Sequence, residues 1–84
     1  MEITGRINDT MVTIYSKPDC MQCKFTKNWL EKHEIEYLEL DCTKDTNYID
    51  EVREMGFQTL PVIVIDRHEA FYGFNPDKLE EYCL

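Results

Sequence analysis

The chain has 84 residues and a formal net charge of −8, with 43% hydrophobic and 12% aromatic residues. A chain of this length folds as one domain, and this composition is typical of a globular protein rather than a disordered segment. The excess of acidic residues disfavours nucleic acid as a partner, because phosphates would be repelled over most of the surface. No apolar run approaches the roughly 20 residues of a membrane-spanning helix, and residues 1–10 lack the basic and apolar parts of a secretory signal. We therefore expect a cytoplasmic protein that does not associate with a membrane.

Hydrophobic periodicity and turn residues predict an α/β chain. Apolar and β-branched runs predict strands over 11–15, 35–40, 61–65 and 70–73, with the last strand antiparallel to the one before it. Helical spacing predicts helices over 20–34 and 46–55 and a short helix after Asn75. The order β-α-β-α-β-β-α implies a mixed four-stranded sheet flanked by three helices. Residues 1–10 show no useful period, so we expect an N-terminal arm, or an added short strand, beside a single domain over 11–84.

Local signals predict where the helices begin and which faces they bury. Asp45 or Thr46 is a suitable N-cap for the second helix, and Gly56 is placed to end it. Asn75 followed by Pro76 predicts the start of the last helix. The predicted inner faces are Met21, Phe25, Trp29 and Leu30 in the first helix, Tyr48, Val52 and Met55 in the second, and Leu79, Tyr82 and Cys83 in the third.

The stretch KPDCMQC carries the clearest chemical signal. Cys20 and Cys23 are separated by two residues near a β-α-β pattern, which is typical of a thioredoxin-like redox pair. A thiolate is the nucleophile, and a helix N-terminus favours it through unpaired N–H groups and the positive end of the dipole. Lys17 adds positive charge from the preceding loop. We therefore predict Cys20 as the attacking, more exposed thiol and Cys23 as the resolving thiol.

The surroundings of the pair leave two interpretations open. Residues 17–32 hold four lysines against two acidic residues, in a chain that is otherwise strongly acidic. This local excess is either an ordinary lysine-rich helix face or a source of positive potential that favours the thiolate.

A Cys-x-x-Cys pair also opens many zinc sites, so a small zinc- or iron–sulfur-binding module is an alternative. Further ligands would have to come from Cys42, Cys83, His33 and His68, and none of these forms a second closely spaced pair. We interpret the two cysteines as small, partly buried thiols and assign neither histidine a catalytic role. We therefore expect no metal site.

Three stretches together, YSKPDCMQCKFTKNWL, TLPVIVID and FYGFNPDKLEEY, resemble the glutaredoxin-like redoxins of the NrdH type. The resemblance covers about residues 11–83. Its most specific features are Met-Gln between the cysteines, Leu-Pro-Val in the third predicted strand, and Gly-Phe-x-Pro before the last helix. Ordinary glutaredoxins tend to have Pro-Tyr between the cysteines and Gly-Gly where Tyr72-Gly73 stands here.

This resemblance implies a thioredoxin fold with a cis peptide bond at Pro61, which leaves the Leu60 backbone able to pair with an extended peptide of a partner. For so small a carrier we expect a monomer by default, and we expect no bound cofactor. The resemblance also implies that its electrons would come from NADPH through thioredoxin reductase and pass to the large subunit of a class Ib ribonucleotide reductase, for deoxyribonucleotide synthesis. The family pattern is matched at Lys17, Cys20, Cys23, Pro61, Gly73 and Phe74. The implied partner-facing residues are Met21, Gln22, Thr59, Leu60, Pro61, Gly73 and Phe74.

Two positions depart from the family pattern. Tyr72 stands where a serine is usual, and Asn75 stands where an arginine is usual. The loss of the arginine removes a charge and five N–H donors near the expected partner surface. The alternative function within the same fold is that of a glutaredoxin reduced by glutathione.

Overall fold

The structure, a computed structural model, describes residues 11–84. Its elements in chain order are β1 (Val12–Ser16), α1 (Met21–Lys32), β2 (Leu38–Asp41), α2 (Thr46–Glu54), β3 (Val62–Ile65), β4 (Phe71–Tyr72) and α3 (Pro76–Cys83). The strands form one sheet in the order β2-β1-β3-β4. β2 runs parallel to β1, whereas β3 is antiparallel to both β1 and β4. The predicted mixed sheet and its element order are confirmed.

The sheet buries a different set of side chains on each face. Ile14 pairs with Ile63 in the register of the central strands, and Tyr15 pairs with Val62 one position along. Because successive side chains of a strand point to opposite faces, these two pairs belong to separate clusters. The cluster on one face contains Val12, Ile14, Leu30, Ile63, Ile65, Phe71, Leu79 and Cys83. The cluster on the other face contains Tyr15, Cys42, Val52 and Val62.

The predicted helix caps agree with the structure. The Asp45 side chain accepts a hydrogen bond from the backbone N–H of Asn47, at the start of α2. The Asn75 side chain accepts one from the backbone N–H of Lys78, with proline in the first turn of α3. These bonds satisfy N–H groups that have no partner within a helix.

Several predicted boundaries are displaced by a few residues. α1 ends at Lys32 because His33 caps it and Glu34 turns the chain into the left-handed region, with φ 58°. β2 therefore begins at Leu38 rather than at residue 35. The predicted N-terminal arm, residues 1–10, lies outside the described residues.

The predicted inner face of α1 is confirmed at Leu30, which is buried, and at Trp29, which packs against the core, but it is wrong at Met21 and Phe25. Met21 and Phe25 are 60% and 45% exposed, whereas Cys23, Thr26 and Leu30 are buried. Thr26 can be buried because its hydroxyl donates a hydrogen bond to the backbone carbonyl of Gln22, at 2.8 Å. Met21 and Phe25 are therefore exposed on the part of α1 that carries the cysteine pair.

The predicted inner face of α2 is partly wrong, because Val52 is buried but Met55 is exposed. In α3, Leu79 and Cys83 are buried, and Tyr82 packs against the core, as predicted. Within residues 11–84, the helices are too short and too polar to cross a membrane.

Candidate active site

Cys20 is the N-cap of α1. Its backbone is extended, and its sulfur accepts a hydrogen bond from the backbone N–H of Cys23 at 3.1 Å. Asp19 precedes it with φ 59°, a left-handed conformation that aspartate tolerates better than most residues. This turn redirects the chain from the loop after β1 into the helix. The Cys20 sulfur therefore sits where the first turn presents N–H groups that lack helical partners.

The two cysteines form a disulfide, with their Cα atoms 5.2 Å apart. Cys23 is 1% exposed, whereas Cys20 is half-buried. An external thiol therefore meets Cys20 first. The Cys23 N–H donates to the Cys20 sulfur, which is the atom that carries the negative charge when Cys20 is a thiolate.

The side chain of Gln22 joins the cysteine pair to the connection between β4 and α3. Its Oε1 accepts a hydrogen bond from the backbone N–H of Phe74 at 3.0 Å. A Cβ atom at Gly73 would lie 2.9 Å from the same oxygen, and Gly73 has φ 82°. Both facts favour glycine at this position.

Gly73 also connects to the segment before β3. Its backbone N–H donates to the Pro61 carbonyl at 2.8 Å. The peptide bond between Leu60 and Pro61 is cis. The segments around residues 20–23, 60–61 and 73–74 are thus joined by two hydrogen bonds.

The remaining predicted site residues lie near these segments. Lys17, Thr59 and Leu60 line a cavity of about 240 Å³. Met21 lies exposed between the cysteines. The ring of Phe74 packs against that of Phe25, with 5.9 Å between centroids.

A polar cluster anchors the strand that leads into the site. Ser16, at the end of β1, donates a hydrogen bond to Glu39 Oε2 at 2.7 Å. The same oxygen accepts a hydrogen bond from Lys27 Nζ at 2.8 Å. The bonds from Lys27 and Ser16 lower the pKa of the Glu39 carboxyl below its ordinary value. The cluster joins α1 and β1 to β2, and its member Ser16 comes immediately before the loop that leads to Cys20.

The other cysteines and both histidines have structural surroundings. Cys42 and Cys83 are buried, and burial raises the pKa of each thiol. The ring of His33 contacts that of Trp29, and the ring of His68 stacks on that of Tyr82. Within residues 11–84, no group of three or more His, Cys, Asp or Glu side chains is arranged to hold a metal ion.

Sequence reasoning did not include Arg53 and Phe57, which line the same cavity as Lys17. A basic residue at the end of a helix is usually explained by the dipole, so Arg53 gave no separate signal. In the sequence, Tyr72 stands out only as a departure from the family pattern. It is 59% exposed, and its ring lies 6.3 Å from that of Phe57.

A glutaredoxin family model matches residues 12–69. The glutaredoxin-like protein NrdH of Lactococcus lactis subsp. cremoris is 48% identical over 69 residues, which cover 82% of this chain and 94% of that protein. The chain belongs to the glutaredoxin family and, within it, to the NrdH-type redoxins.

Solved structures agree with this placement. The NrdH-redoxin of Escherichia coli matches with a TM-score of 0.80 at 28% identity, over 84% of this chain and 92% of that one. Glutaredoxin 1 of Francisella tularensis matches with a TM-score of 0.65 at 28% identity, over 86% of this chain and 98% of that one. The NrdH-type chain described here has the thioredoxin fold and is a thiol–disulfide oxidoreductase with a Cys20–Cys23 pair close enough to form a disulfide.

Proposed function

We propose that this NrdH-type protein is a cytoplasmic dithiol carrier, reduced by thioredoxin reductase, that passes electrons to protein disulfides. The observation that carries the proposal is the geometry of the pair. Cys20 caps α1 with surface access, its sulfur accepts the Cys23 N–H at 3.1 Å, and Cys23 is buried behind it. This arrangement separates an attacking sulfur from a protected resolving sulfur.

The reaction transfers two electrons in two exchanges. The Cys20 thiolate attacks one sulfur of the target disulfide, which forms a mixed disulfide and releases the other target sulfur as a thiolate. Cys23 then loses its proton and attacks the Cys20 sulfur, which releases the second target thiol. The products are a target dithiol and the Cys20–Cys23 disulfide, which the reductase returns to two thiols with electrons from NADPH. Lys17 favours the thiolate form of Cys20.

The partner surface in this proposal lies around the pair. The Leu60 backbone would pair with an extended segment of the partner, as in strand addition. Met21, Gln22 and Thr59 would contact its side chains, with Gly73 and Phe74 on the other side. Similarity to NrdH proteins supports the large subunit of a class Ib ribonucleotide reductase as the recipient. The NrdH-redoxin of E. coli has a thioredoxin-like activity profile, and the similarity of this chain to it supports thioredoxin reductase as the donor here.

The test is disulfide reduction at the expense of NADPH in two separate couplings. One contains thioredoxin reductase, and the other contains glutathione with glutathione reductase. We expect turnover with the first and none above background with the second. In this first stage, the substrate in both couplings is a small disulfide compound. In a second stage, class Ib ribonucleotide reductase is the substrate instead, and deoxyribonucleotide formation is measured.

Each result has a definite meaning. Turnover with glutathione alone would make the protein a glutathione-dependent glutaredoxin and reject the proposed donor. Turnover in neither coupling, with both cysteines intact, would reject the carrier role. The Cys20→Ser variant is the control, because serine also suits the N-cap position of α1 but lacks the attacking sulfur.

A further inference from the structure

A cavity that includes Lys17, from the loop before Cys20, has an apolar floor and a cationic rim. It has a volume of about 240 Å³ and is lined by Lys17, Cys42, Ile49, Val52, Arg53, Phe57, Gln58, Thr59 and Leu60. Pockets for drug-sized ligands usually measure about 300–1,000 Å³. The smaller volume fits one side chain of a larger partner better than a whole small molecule.

The charge of this cavity is opposite to that of the chain. The chain has 17 acidic residues, yet the lining contains two cations, Lys17 and Arg53, and no acidic residue. Neither cation forms an ion pair with another residue of 11–84. A carboxylate of a partner at this rim would therefore meet two positive groups. Neither group is already paired with an acidic side chain of residues 11–84.

An exposed aromatic ring extends the apolar floor. Tyr72 pairs with Val62 in the sheet register, so its side chain lies on the same face as Val62, beside α2. The Tyr72 ring is 6.3 Å from that of Phe57, which lines the cavity. Tyr72 is 59% exposed and therefore presents a flat apolar surface to a partner.

The cavity is continuous with the surface proposed above for docking. Leu60 lines it immediately before Pro61, and Lys17 lines it from the loop that leads to Cys20. An extended segment paired with the Leu60 backbone would therefore place a neighbouring side chain over the cavity.

We propose that this cavity, extended by Tyr72, is a specificity subsite for the protein substrate, and that its occupant is an extended segment with an apolar side chain and an adjacent carboxylate near the target cysteine. The apolar side chain enters the floor between Phe57 and Leu60. The carboxylate lies against Lys17 and Arg53. This inference rests on the proposed function, because it names the partner chemistry that the carrier selects.

The test uses synthetic peptides whose single cysteine carries thionitrobenzoate as a mixed disulfide. One peptide has Asp-Leu before the cysteine, and a second has Leu-Asp after it. In matched peptides, Lys replaces the aspartate, Ser replaces the leucine, or both replacements are made together. The full-length protein is reduced beforehand, and the second-order rate constant for thionitrobenzoate release is measured without any reductase. Cys20 attacks the peptide sulfur and releases the chromophore, and Cys23 then releases the peptide thiol.

One of the two peptides that contain both Asp and Leu should react faster than the other. We expect the rate constant of this faster peptide to be about tenfold higher than that of the matched peptide with both Lys and Ser. One buried apolar side chain and one surface charge pair would give a difference of this size. Arg53→Gln should reduce the preference for aspartate over lysine by about threefold. The matched control is Arg67→Gln, since Arg67 is an exposed cation in the turn after β3 and does not line the cavity. Tyr72→Ser should reduce the preference for leucine, and Tyr72→Phe should keep it.

Equal rate constants for all the peptides would overturn the subsite, as would equal losses in the Arg53→Gln and Arg67→Gln variants. Dithiodipyridine, a small neutral disulfide, separates this failure from that of the proposed function. If every variant reduces dithiodipyridine at the wild-type rate but shows no peptide preference, the subsite is rejected and the dithiol chemistry stands. If the wild-type protein does not reduce dithiodipyridine, the proposed function fails and the subsite fails with it.

Discussion

The side-chain oxygen of Gln22 accepts a hydrogen bond from the backbone N–H of Phe74 at 3.0 Å, across 52 residues of chain. One residue between the two cysteines is thereby fixed to the connection that precedes α3. The same connection is bonded to Pro61 through Gly73. Two hydrogen bonds therefore link the redox pair, the segment before α3 and Pro61.

The first prediction concerns the close approach of Gly73 to Gln22. Gly73→Ala should lower the free energy of unfolding by about 1–2 kcal/mol from its left-handed backbone alone. The clash with Gln22 Oε1, at 2.9 Å from the new Cβ, should add to this loss. Gln22→Ala should cost about 1 kcal/mol, the usual value for one hydrogen bond. Urea unfolding of both variants and the double variant measures these energies.

The double variant separates the steric contact between a Cβ at residue 73 and Gln22 Oε1 from the cost of the left-handed backbone. In the Gln22→Ala background, the added methyl group meets no side-chain oxygen, so Gly73→Ala should cost less there than in the wild-type protein. If the two losses simply add, the steric part of the argument is wrong and only the backbone part remains.

The second prediction concerns the roles of the two sulfurs. Cys23→Ser should accumulate a mixed disulfide between Cys20 and the target, because the resolving thiol is missing. Cys20→Ser should accumulate none, because Cys23 is 1% exposed and cannot be reached by the target. Non-reducing electrophoresis with a protein disulfide substrate, followed by mass spectrometry, identifies the trapped cysteine. Trapping through Cys23 would reverse the assignment.

The third prediction concerns selectivity among the thiols of the reduced protein. Burial, with smaller effects from Asp41 and Glu51, raises the pKa of the Cys42 thiol, and burial raises that of Cys83. Both should stay protonated near neutral pH and react slowly with iodoacetamide, whereas Cys20 should react first. Peptide mapping after short exposure gives the order, and the same reaction in urea is the control that exposes all sites. Early modification of Cys42 would contradict the burial argument.

The extent to which sequence predicts this structure differs between the elements. β3 was predictable because VIVI is continuous and β-branched, and α3 because Asn75-Pro76 marks its start. Apolar spacing predicted the burial of Leu30 but not the exposure of Met21 and Phe25, because the buried face of α1 includes Cys23 and the internally bonded Thr26. Met21 and Phe25, which apolar spacing places in the core, are instead exposed on the part of α1 that carries the redox pair.

In the site, too, some features were predictable from the sequence and others were not. Cys20 and Cys23 were predictable because their spacing and position on a helix are local features. The Gln22–Phe74 bond and the rim formed by Lys17 and Arg53 join segments that are distant in sequence. No periodicity encodes such contacts, so they required the structure.

The fourth prediction concerns the cluster of Ser16, Lys27 and Glu39. Bonds from Lys27 and Ser16 hold the pKa of Glu39 below its ordinary 4.5. A lowered pKa in the folded state stabilises the protein above pH 4.5, and this contribution disappears as the pH falls through the folded-state pKa. Lys27→Gln should therefore lower the free energy of unfolding by about 0.2–1 kcal/mol at neutral pH, and by less in acid. Urea unfolding over this pH range measures the difference.

Lys24→Gln is the matched control, because Lys24 lies on the same helix but forms no ion pair with another residue of 11–84. Its effect should be smaller at neutral pH and should change little on acidification. Equal effects of the two substitutions at every pH would show that the loss comes from net charge rather than from the bond to Glu39.

The fifth prediction concerns Tyr15, whose hydroxyl donates a hydrogen bond to Glu51 Oε1 at 2.7 Å. Burial, assisted by Glu51, raises the pKa of Tyr15 to about 12 from an ordinary 10.0. A raised pKa stabilises the folded protein fully below pH 10.0, and this contribution is lost as the pH rises through about 12. Tyr15→Phe should therefore lower the free energy of unfolding by about 1 kcal/mol at neutral pH.

The difference in tyrosinate absorbance between the wild-type protein and Tyr15→Phe isolates the titration of this residue. We expect the residue to remain largely protonated at pH 10.0 while the protein is folded, and to become about half ionised at that pH once urea unfolds the chain. Glu51→Gln removes the neighbouring charge but leaves the side chain buried, so it should lower the midpoint only part of the way. If the wild-type midpoint already lies at pH 10.0 in the folded protein, neither burial nor Glu51 acts on this hydroxyl as described.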